Sequence, residues 1–373
     1  MLSSNGFSQA TEEEKACKEA LYMALEKLDS PQKRDIACII FLNPKYDIQK
    51  TIRYFDGIDN VGISAEGVIT QEEELEGEKS GISLLLIDKR YVYCETFSVS
   101  VPWKYEREIG RKIGERFDTE IPSTLILFAT PFYNIQEVLD GIRETTEKIK
   151  VVGGVASSPP GTPIFSFENG SIGSYVLSGI FIEGVEITTR IAKSCKPIGE
   201  PLIVTSSYKN IIEEINGESA AEILDEIVVE GTVENPDYIY LPWFIGDVLD
   251  EENELIRFYP ILDAKDGVIY IGGEIEKGKV IKFGVMSKEF AEECSKTEFL
   301  SIPHDGDFAL FFNCVARGKR LFKKKNFDMS IIKKKAKFPI AGFFGNGEIT
   351  TAKFPTLLTY TGCFTIFKKI PIS

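Results

Sequence analysis

The chain has 373 residues, 43% hydrophobic and 27% charged, with a formal net charge of -14. That length supports a sizeable core and two or three domains, and the acidity argues against general nucleic-acid binding. No apolar run approaches a membrane span, and Met1-Leu2-Ser3-Ser4-Asn5-Gly6 lacks the basic start and apolar stretch of a signal peptide. A cytoplasmic protein without membrane contact is expected.

Thr11 to Leu28 reads as a helix, with Glu12, Glu13 and Glu14 suited to the positive end of its dipole. Ile36 to Leu42 is a continuous apolar run, hence a buried strand. Asn43-Pro44 stops it, and Asp47 caps a short helix. Val61 to Thr70 reads as a glycine-bearing strand, and the acidic stretch Glu72, Glu73, Glu74, Glu76, Glu78 as a solvated loop. Ile82 to Ile87 and Tyr91 to Val99 read as a hairpin around Asp88-Lys89-Arg90, followed by a helix over Lys104 to Phe117 that tolerates Gly110.

The pattern then restarts. Ile40-Phe41-Leu42-Asn43-Pro44-Lys45-Tyr46-Asp47-Ile48-Gln49 aligns without gaps to Leu127-Phe128-Ala129-Thr130-Pro131-Phe132-Tyr133-Asn134-Ile135-Gln136 at an offset of 87. Each copy leads to a glycine strand, at Gly62 and at Gly153-Gly154, so an internal duplication near 36–70 and 123–158 is the economical explanation. Asn169-Gly170 marks a hairpin between Ile164 to Glu168 and Tyr175 to Phe181. Prolines 197 and 201 place a boundary near residue 195, giving parts 1–195 and 196–373.

In the second part, Ser219 caps a helix, Tyr238 to Ile245 is a strand, and Asp266-Gly267 turns a hairpin. Asp307 to Asn313 repeats the theme of Asp35 to Phe41. A third glycine strand, Ala341-Gly342-Phe343-Phe344-Gly345-Asn346-Gly347-Glu348-Ile349-Thr350, echoes Val61 to Thr70, and a last hairpin runs from Leu357 to Lys368. The fold class is α/β in the mixed α+β sense: two related parts of strand-helix-strand units and β-hairpins with mixed sheets.

Val61-Gly62-Ile63-Ser64-Ala65-Glu66-Gly67, then Val151-Val152-Gly153-Gly154-Val155-Ala156, then Glu214-Ile215-Asn216-Gly217, then Cys314-Val315-Ala316-Arg317, then Gly342 to Ile349 resemble, in this order, the FIST domain family with its N-terminal and C-terminal parts. The resemblance covers nearly the whole chain. It implies a sensory, small-molecule-binding domain, with amino acids among the proposed ligands. Many members are fused to signalling outputs, and some relatives sense nitric oxide through haem. This chain has no room for an output domain, nor for an F-box ahead of the first strand, so any signal is expected to pass to a separate partner.

Candidate residues follow from strand ends. Arg317 and Glu348 each follow an apolar strand, where they could hold the carboxylate and ammonium of an amino acid or simply pair with each other. Gly345, Asn346 and Gly347 could offer backbone N–H groups or form a plain bulge. Gly153 and Gly154, with Ser157 and Ser158, could line an equivalent place in the first part. Their spacing is neither a dinucleotide fingerprint nor a P-loop. The seven cysteines are scattered without a C-x-x-C pair and read as reduced, buried thiols.

Cys314 is placed with the ligand residues. With His304, the only histidine, it also gives an alternative reading as a cysteine-dependent hydrolase. His304 is likewise the one histidine for a haem-based gas sensor, although its turn setting reads as a solvated loop. The basic segment Arg317 to Lys337, opposed only by Asp328, reads as a solvated face or as a dock for an acidic signalling partner. The sequence reading is therefore a non-catalytic small-ligand sensor, with no cofactor, metal or nucleic acid expected. Abundant Lys and Glu are compatible with a thermophile.

Overall fold

The computed structural model describes residues 2–77, 80–250, 252 and 255–371. The chain packs as two units. One comprises Met1–Ala192, Lys296–Leu357 and Thr361–Ser373; the other comprises Lys193–Ser295 and Leu358–Tyr360. The segment 196–373 thus contributes to both units. No helix among the described residues is long and apolar enough to cross a membrane.

Three six-stranded sheets form the first unit, and all share one plan. In the first, Ile36–Leu42 runs parallel to Asp59–Ser64, with Ile82–Asp88 antiparallel beside the former and Ser166–Glu168 antiparallel beside the latter. In the second, Ser123–Ala129 runs parallel to Ile149–Val155, flanked by Val176–Glu183 and Gly347–Thr351. In the third, Phe308–Cys314 runs parallel to Ile340–Gly345, flanked by Thr361–Lys369 and Gly67–Ile69.

The glycine strands are the crossovers between these sheets. The chain leaves the first sheet at Ser64 and enters the third at Gly67. It leaves the third at Gly345 and enters the second at Gly347. From the second, it leaves at Val155 and enters the first at Ser166. The exchange is cyclic, and each sheet receives one strand from the next. Val61 to Thr70, read from sequence as one strand, is therefore two strands in two sheets.

A shared steric demand marks the three copies. A Cβ on Gly62, Gly153 or Gly342 would lie 2.1, 1.9 or 2.0 Å from the carbonyl oxygen of Ile40, Leu127 or Phe311 on the parallel neighbour. Any side chain there would push the strand pair apart. This register equates Ile40 with Phe311 and moves the third copy one residue from the sequence alignment.

The crossovers meet in a polar hub. The Ser157 hydroxyl donates to the Phe344 carbonyl and accepts from the Glu66 N–H at 2.8 Å. Asn346 donates its side-chain amide to the Ala156 carbonyl at 2.7 Å and its N–H to the Val155 carbonyl at 3.0 Å. Close by, Phe41 stacks on Phe343 and meets Phe128 edge-on, at 5.1 and 5.7 Å between ring centroids. Aromatic contacts of this geometry add to simple area burial.

Helices cover the sheet faces. Glu13–Leu25 buries Ala16, Cys17, Ala20 and Ala24 on the first sheet. Glu106–Phe117 and Ile135–Thr145 cover the second. Gly110 is required here: its Cβ would sit 2.1 Å from the Val138 carbonyl of the neighbouring helix. The expected caps form, with Asp47 accepting from the N–H groups of Gln49 and Lys50, and Asn134 from that of Glu137.

Several sequence expectations are corrected. Ile82–Asp88 and Cys94–Ser100 are not a hairpin, because they lie in different sheets; Pro355–Leu358 and Thr361–Lys369 are separated in the same way. Sequence neighbours go to different sheets because each sheet draws strands from distant parts of the chain. Tyr238 to Ile245 is a 3-10 turn, Pro236–Tyr240, followed by the strand Trp243–Asp250. The acidic stretch is not a solvated loop: Glu74–Leu75 is a buried edge strand of the third sheet. Glu78 lies outside the described residues.

The second unit is a closed sheet. Cys195–Tyr208, Val280–Met286, Trp243–Asp250, Leu255–Lys265, Val268–Ile271 and Ile211–Ile215 pair in that order, and the last also pairs with the first. Closure removes the exposed edges. Ala220–Glu234, capped by Ser219, packs Ile223, Leu224 and Ile227 against Ile245, Ile269 and Phe283.

Candidate ligand site

Phe308–Cys314 is buried throughout and ends in a turn in which the Arg317 N–H donates to the Cys314 carbonyl at 2.9 Å. The turn folds Arg317 back into the unit, where its side chain is wholly buried. Two short helices follow, Gly318–Phe322 and Phe327–Ile332. Lys323 and Asn326 between them adopt left-handed conformations, which reverse the chain. The reversal delivers Asp328 to Arg317. Nη2 donates to both carboxylate oxygens at 3.1 and 3.0 Å, and Nη1 donates to the Ala192 carbonyl at 3.2 Å. The Phe322 ring lies 5.2 Å from the guanidinium.

A second acid stands beside this pair. Glu74 Oε1 accepts from the Met329 N–H at 2.9 Å, and the Glu74 N–H donates to Asn326 Oδ1 at 2.8 Å. Burial, and after it the negative charge of Asp328, push the Glu74 carboxyl well above the usual range. Asn313 joins by donating Nδ2 to Asp328 Oδ2 at 3.1 Å.

Glu348 reaches the same region from the crossover strand Gly347–Thr351. It is wholly buried. Oε2 accepts from the Thr361 hydroxyl at 2.7 Å and from its N–H at 3.2 Å. Burial raises its pKa to about 8, against the opposing pull of the Thr361 bonds and the Arg317 charge. Glu348 is thus mostly protonated at neutral pH. The ion-pair partner of Arg317 is Asp328, and Arg317 acts on Glu348 through space.

Three buried side-chain oxygens in this region have no hydrogen-bond partner: Glu74 Oε2, Glu348 Oε1 and Asn313 Oδ1. The last two flank the start of Thr361–Lys369. Glu348 bonds Thr361, and Asn313 pairs with Gly362. A Cβ on Gly362 would lie 3.0 Å from Asn313 Oδ1 and 3.2 Å from Arg317 Nε. Even a methyl group here would press on both polar atoms.

The other sequence-derived residues divide in two. Gly347, Glu348 and Ile349 face Val155, Gly154 and Gly153 across the second sheet, so the two glycine motifs do meet. Their backbones bond each other: the Asn346 N–H goes to Val155, and Gly345 pairs with Cys314 and accepts from the Val315 N–H at 2.9 Å. Gly154 has no Cβ where the Phe343 ring passes, 2.8 Å from the place one would take. Cys314 is buried. His304 is exposed, with Nδ1 3.2 Å from the Lys335 carbonyl. Among the described residues no cluster of three or more His, Cys, Asp or Glu is placed to hold a metal ion.

The basic segment finds acidic partners within the chain. Arg320 pairs with Glu66 at 2.5 Å and Lys333 with Glu72 at 3.7 Å. The Glu76 carboxylate accepts from the Lys319 N–H at 2.9 and 3.1 Å. Sequence reasoning missed Glu74, Asn313, Thr361 and Gly362. Asp328 carried a signal, as the lone acid in a basic run.

This arrangement defines a unit of three interlocked sheets whose polar cluster lies among strand crossovers. The chain belongs to the FIST family: the FIST N domain matches residues 37–218 and the FIST C domain residues 213–351. Members are sensory, small-ligand-binding signalling modules. The chain is 28% identical over 307 residues to an uncharacterized protein of Mycobacterium tuberculosis strain H37Rv, covering 78% of each. It is 26% identical over 306 residues to an uncharacterized protein of Mycobacterium bovis, covering 78% of this chain and 77% of that one.

Proposed function

We propose that this protein is a non-catalytic cytoplasmic sensor whose ligand is a small polar molecule, with amino acids the first class to test. The observation that carries the reading is a pair of buried side-chain oxygens without a hydrogen-bond partner, Glu348 Oε1 and Asn313 Oδ1, on either side of Gly362. A buried polar atom without a partner is costly, and a ligand group rich in N–H donors relieves that cost once Glu348 gives up its proton. An ammonium group would serve both oxygens and draw Glu348 into its ionised form. Arg317, held by Asp328, would fix the wall of the site rather than clamp the ligand's carboxylate. The signal would pass to a separate acidic partner through Lys324 and Lys325, which are exposed beside the inward-facing Phe322 and Phe327.

Thermal-shift and calorimetric titration with the common amino acids tests the reading. A binding member raises the melting temperature in proportion to its saturation. Glu348→Gln and Gly362→Val are expected to abolish that shift. Failure of every amino acid to stabilise the protein, or an unchanged shift in both variants, would overturn this assignment of ligand and site.

A further inference from the structure

A cavity of about 420 Å³ opens in the first unit at the start of Asp59–Ser64, far in sequence from the Arg317 cluster. Its size falls in the range of small-ligand pockets, about 300–1,000 Å³. The local sequence explains its shape. The 3-10 turn Ile52–Phe55 ends at Gly57, whose φ of 83° swings the chain into the strand. Opposite, the Asn169-Gly170 turn is tied down: Asn169 Oδ1 accepts from the Asn60 N–H at 2.8 Å, and the Asn169 N–H donates to the Asn60 carbonyl at 3.0 Å. The wall is therefore held by the backbone and requires no partner chain.

The lining has three kinds of group. Ile52 and Phe55 supply apolar surface. Asn60 is 5% exposed; its Nδ2 donates to the Ile58 carbonyl at 3.0 Å, and its Oδ1 accepts from no donor. Among the charges, Lys89 and Asp59 neutralise each other at 2.5 Å. Arg34 lines the cavity, is exposed and, among the described residues, takes part in no ion pair. Asp56 stands on the same rim.

We infer that this cavity binds a small monocarboxylic acid bearing a hydrogen-bond donor next to an apolar body. The carboxylate would lie on Arg34, whose planar fork matches it. The hydroxyl or ammonium donor would turn toward Asn60, and the apolar part would rest on Ile52 and Phe55. Asp56 would disfavour a second carboxylate by like-charge repulsion. The site is independent of the one proposed around Glu348.

The test uses the whole protein and three probes followed by heteronuclear NMR: 3-phenyllactate, 3-phenylpropionate, which lacks the donor, and phenylsuccinate, which has a second carboxylate. Phenyllactate at millimolar concentration is expected to shift the resonances of Gly57, Asn60 and Gly170. Phenylpropionate and phenylsuccinate should each bind about tenfold more weakly. Arg34→Met, a change at an exposed position, should weaken phenyllactate about tenfold or more, and Asp56→Asn should restore phenylsuccinate. Glu348→Gln should leave all of this unchanged, which separates this site from the other. No shift with phenyllactate, or equal binding to Arg34→Met, would overturn the inference. So would equal binding of phenylpropionate.

Discussion

Arg317 and Asp328 lie 3.0 Å apart with neither side chain exposed to solvent. Desolvating two charges is expensive, and here the cost is offset by further contacts: Asn313 on the carboxylate, and the Ala192 carbonyl and the Phe322 ring on the guanidinium. The pair ties the loop after Phe308–Cys314 to the basic segment.

Removing one member of the pair strands the other charge in the core. Arg317→Met and Asp328→Asn are each expected to cost about 3–5 kcal/mol, read from urea denaturation midpoints. The double variant Arg317→Met with Asp328→Leu should recover much of that loss, because no bare charge remains. Equal losses in the single and double variants would show that the ion pair itself is not what holds the segment.

Glu348 sets a pH dependence. Unfolded, it titrates near its ordinary 4.5; folded, near 8. Between these values the folded protein keeps a proton that the unfolded chain has released. Stability therefore falls as pH rises from about 4.5 to about 8, and the effect levels off above that. Glu348→Gln removes this slope, so its advantage over the native protein should grow across the same window, by up to about 5 kcal/mol. Glu74 is shifted in the same direction, so some slope should remain in the variant. Parallel curves for the two proteins would refute the shift.

The crossover glycines should resist substitution. Alanine at Gly62, Gly153 or Gly342 forces a methyl group against a neighbouring carbonyl and is expected to cost about 3 kcal/mol or more in each case. Calorimetric melting of the three variants checks this. Losses below about 0.5 kcal/mol, the level typical of surface substitutions, would contradict the geometry.

Glu76 holds the basic segment down. Its carboxylate accepts from the Lys319 N–H, and a Cβ on Gly318 would lie within 2.9 Å of both its oxygens. Glu76→Ala should expose Lys319, Arg320 and Lys323 to trypsin, with cleavage there about tenfold faster than in the native protein. Unchanged digestion would show that the segment is secured by its other contacts, Asp328, Glu66 and Glu74 among them, and not by Glu76.

Much of the first unit was legible. The apolar run Ile36–Leu42, its copy Ser123–Ala129 and the caps at Asp47 and Asn134 all carry strong local signals. The three glycine stretches were recognisable as a repeat. Their meaning was not, because a crossover between sheets has the same local pattern as a bulged strand. The mistaken hairpins share that cause, the one expected between Ile164 to Glu168 and Tyr175 to Phe181 included, since Ser166–Glu168 pairs with Ser171–Gly173 and Val176–Glu183 lies in the second sheet: adjacency in sequence implies pairing only where a turn closes the pair locally. Glu74 was hidden by its company, since an acid in a run of acids that includes the exposed Glu72 looks the same in sequence whether or not it is buried. Arg317 was singled out correctly for burial at a strand end. Its partner lay eleven positions on, behind two left-handed residues that no periodicity announces.

The cyclic exchange of strands bears on how the protein is made. Gly67–Ile69 is synthesised early, yet its neighbour Ile340–Gly345 is nearly the last strand to leave the ribosome. Until then a short glycine-bearing edge stands open to any other chain. Cutting the gene at residue 195 would therefore not yield a self-sufficient N-terminal half. It would release a fragment whose second sheet lacks Gly347–Thr351 and Pro355–Leu358 and whose third lacks Phe308–Cys314, Ile340–Gly345 and Thr361–Lys369, an invitation to trade strands with its own copies. For the first unit, strands made last complete sheets begun by strands made first, so two of its three sheets close only when nearly the whole chain is present.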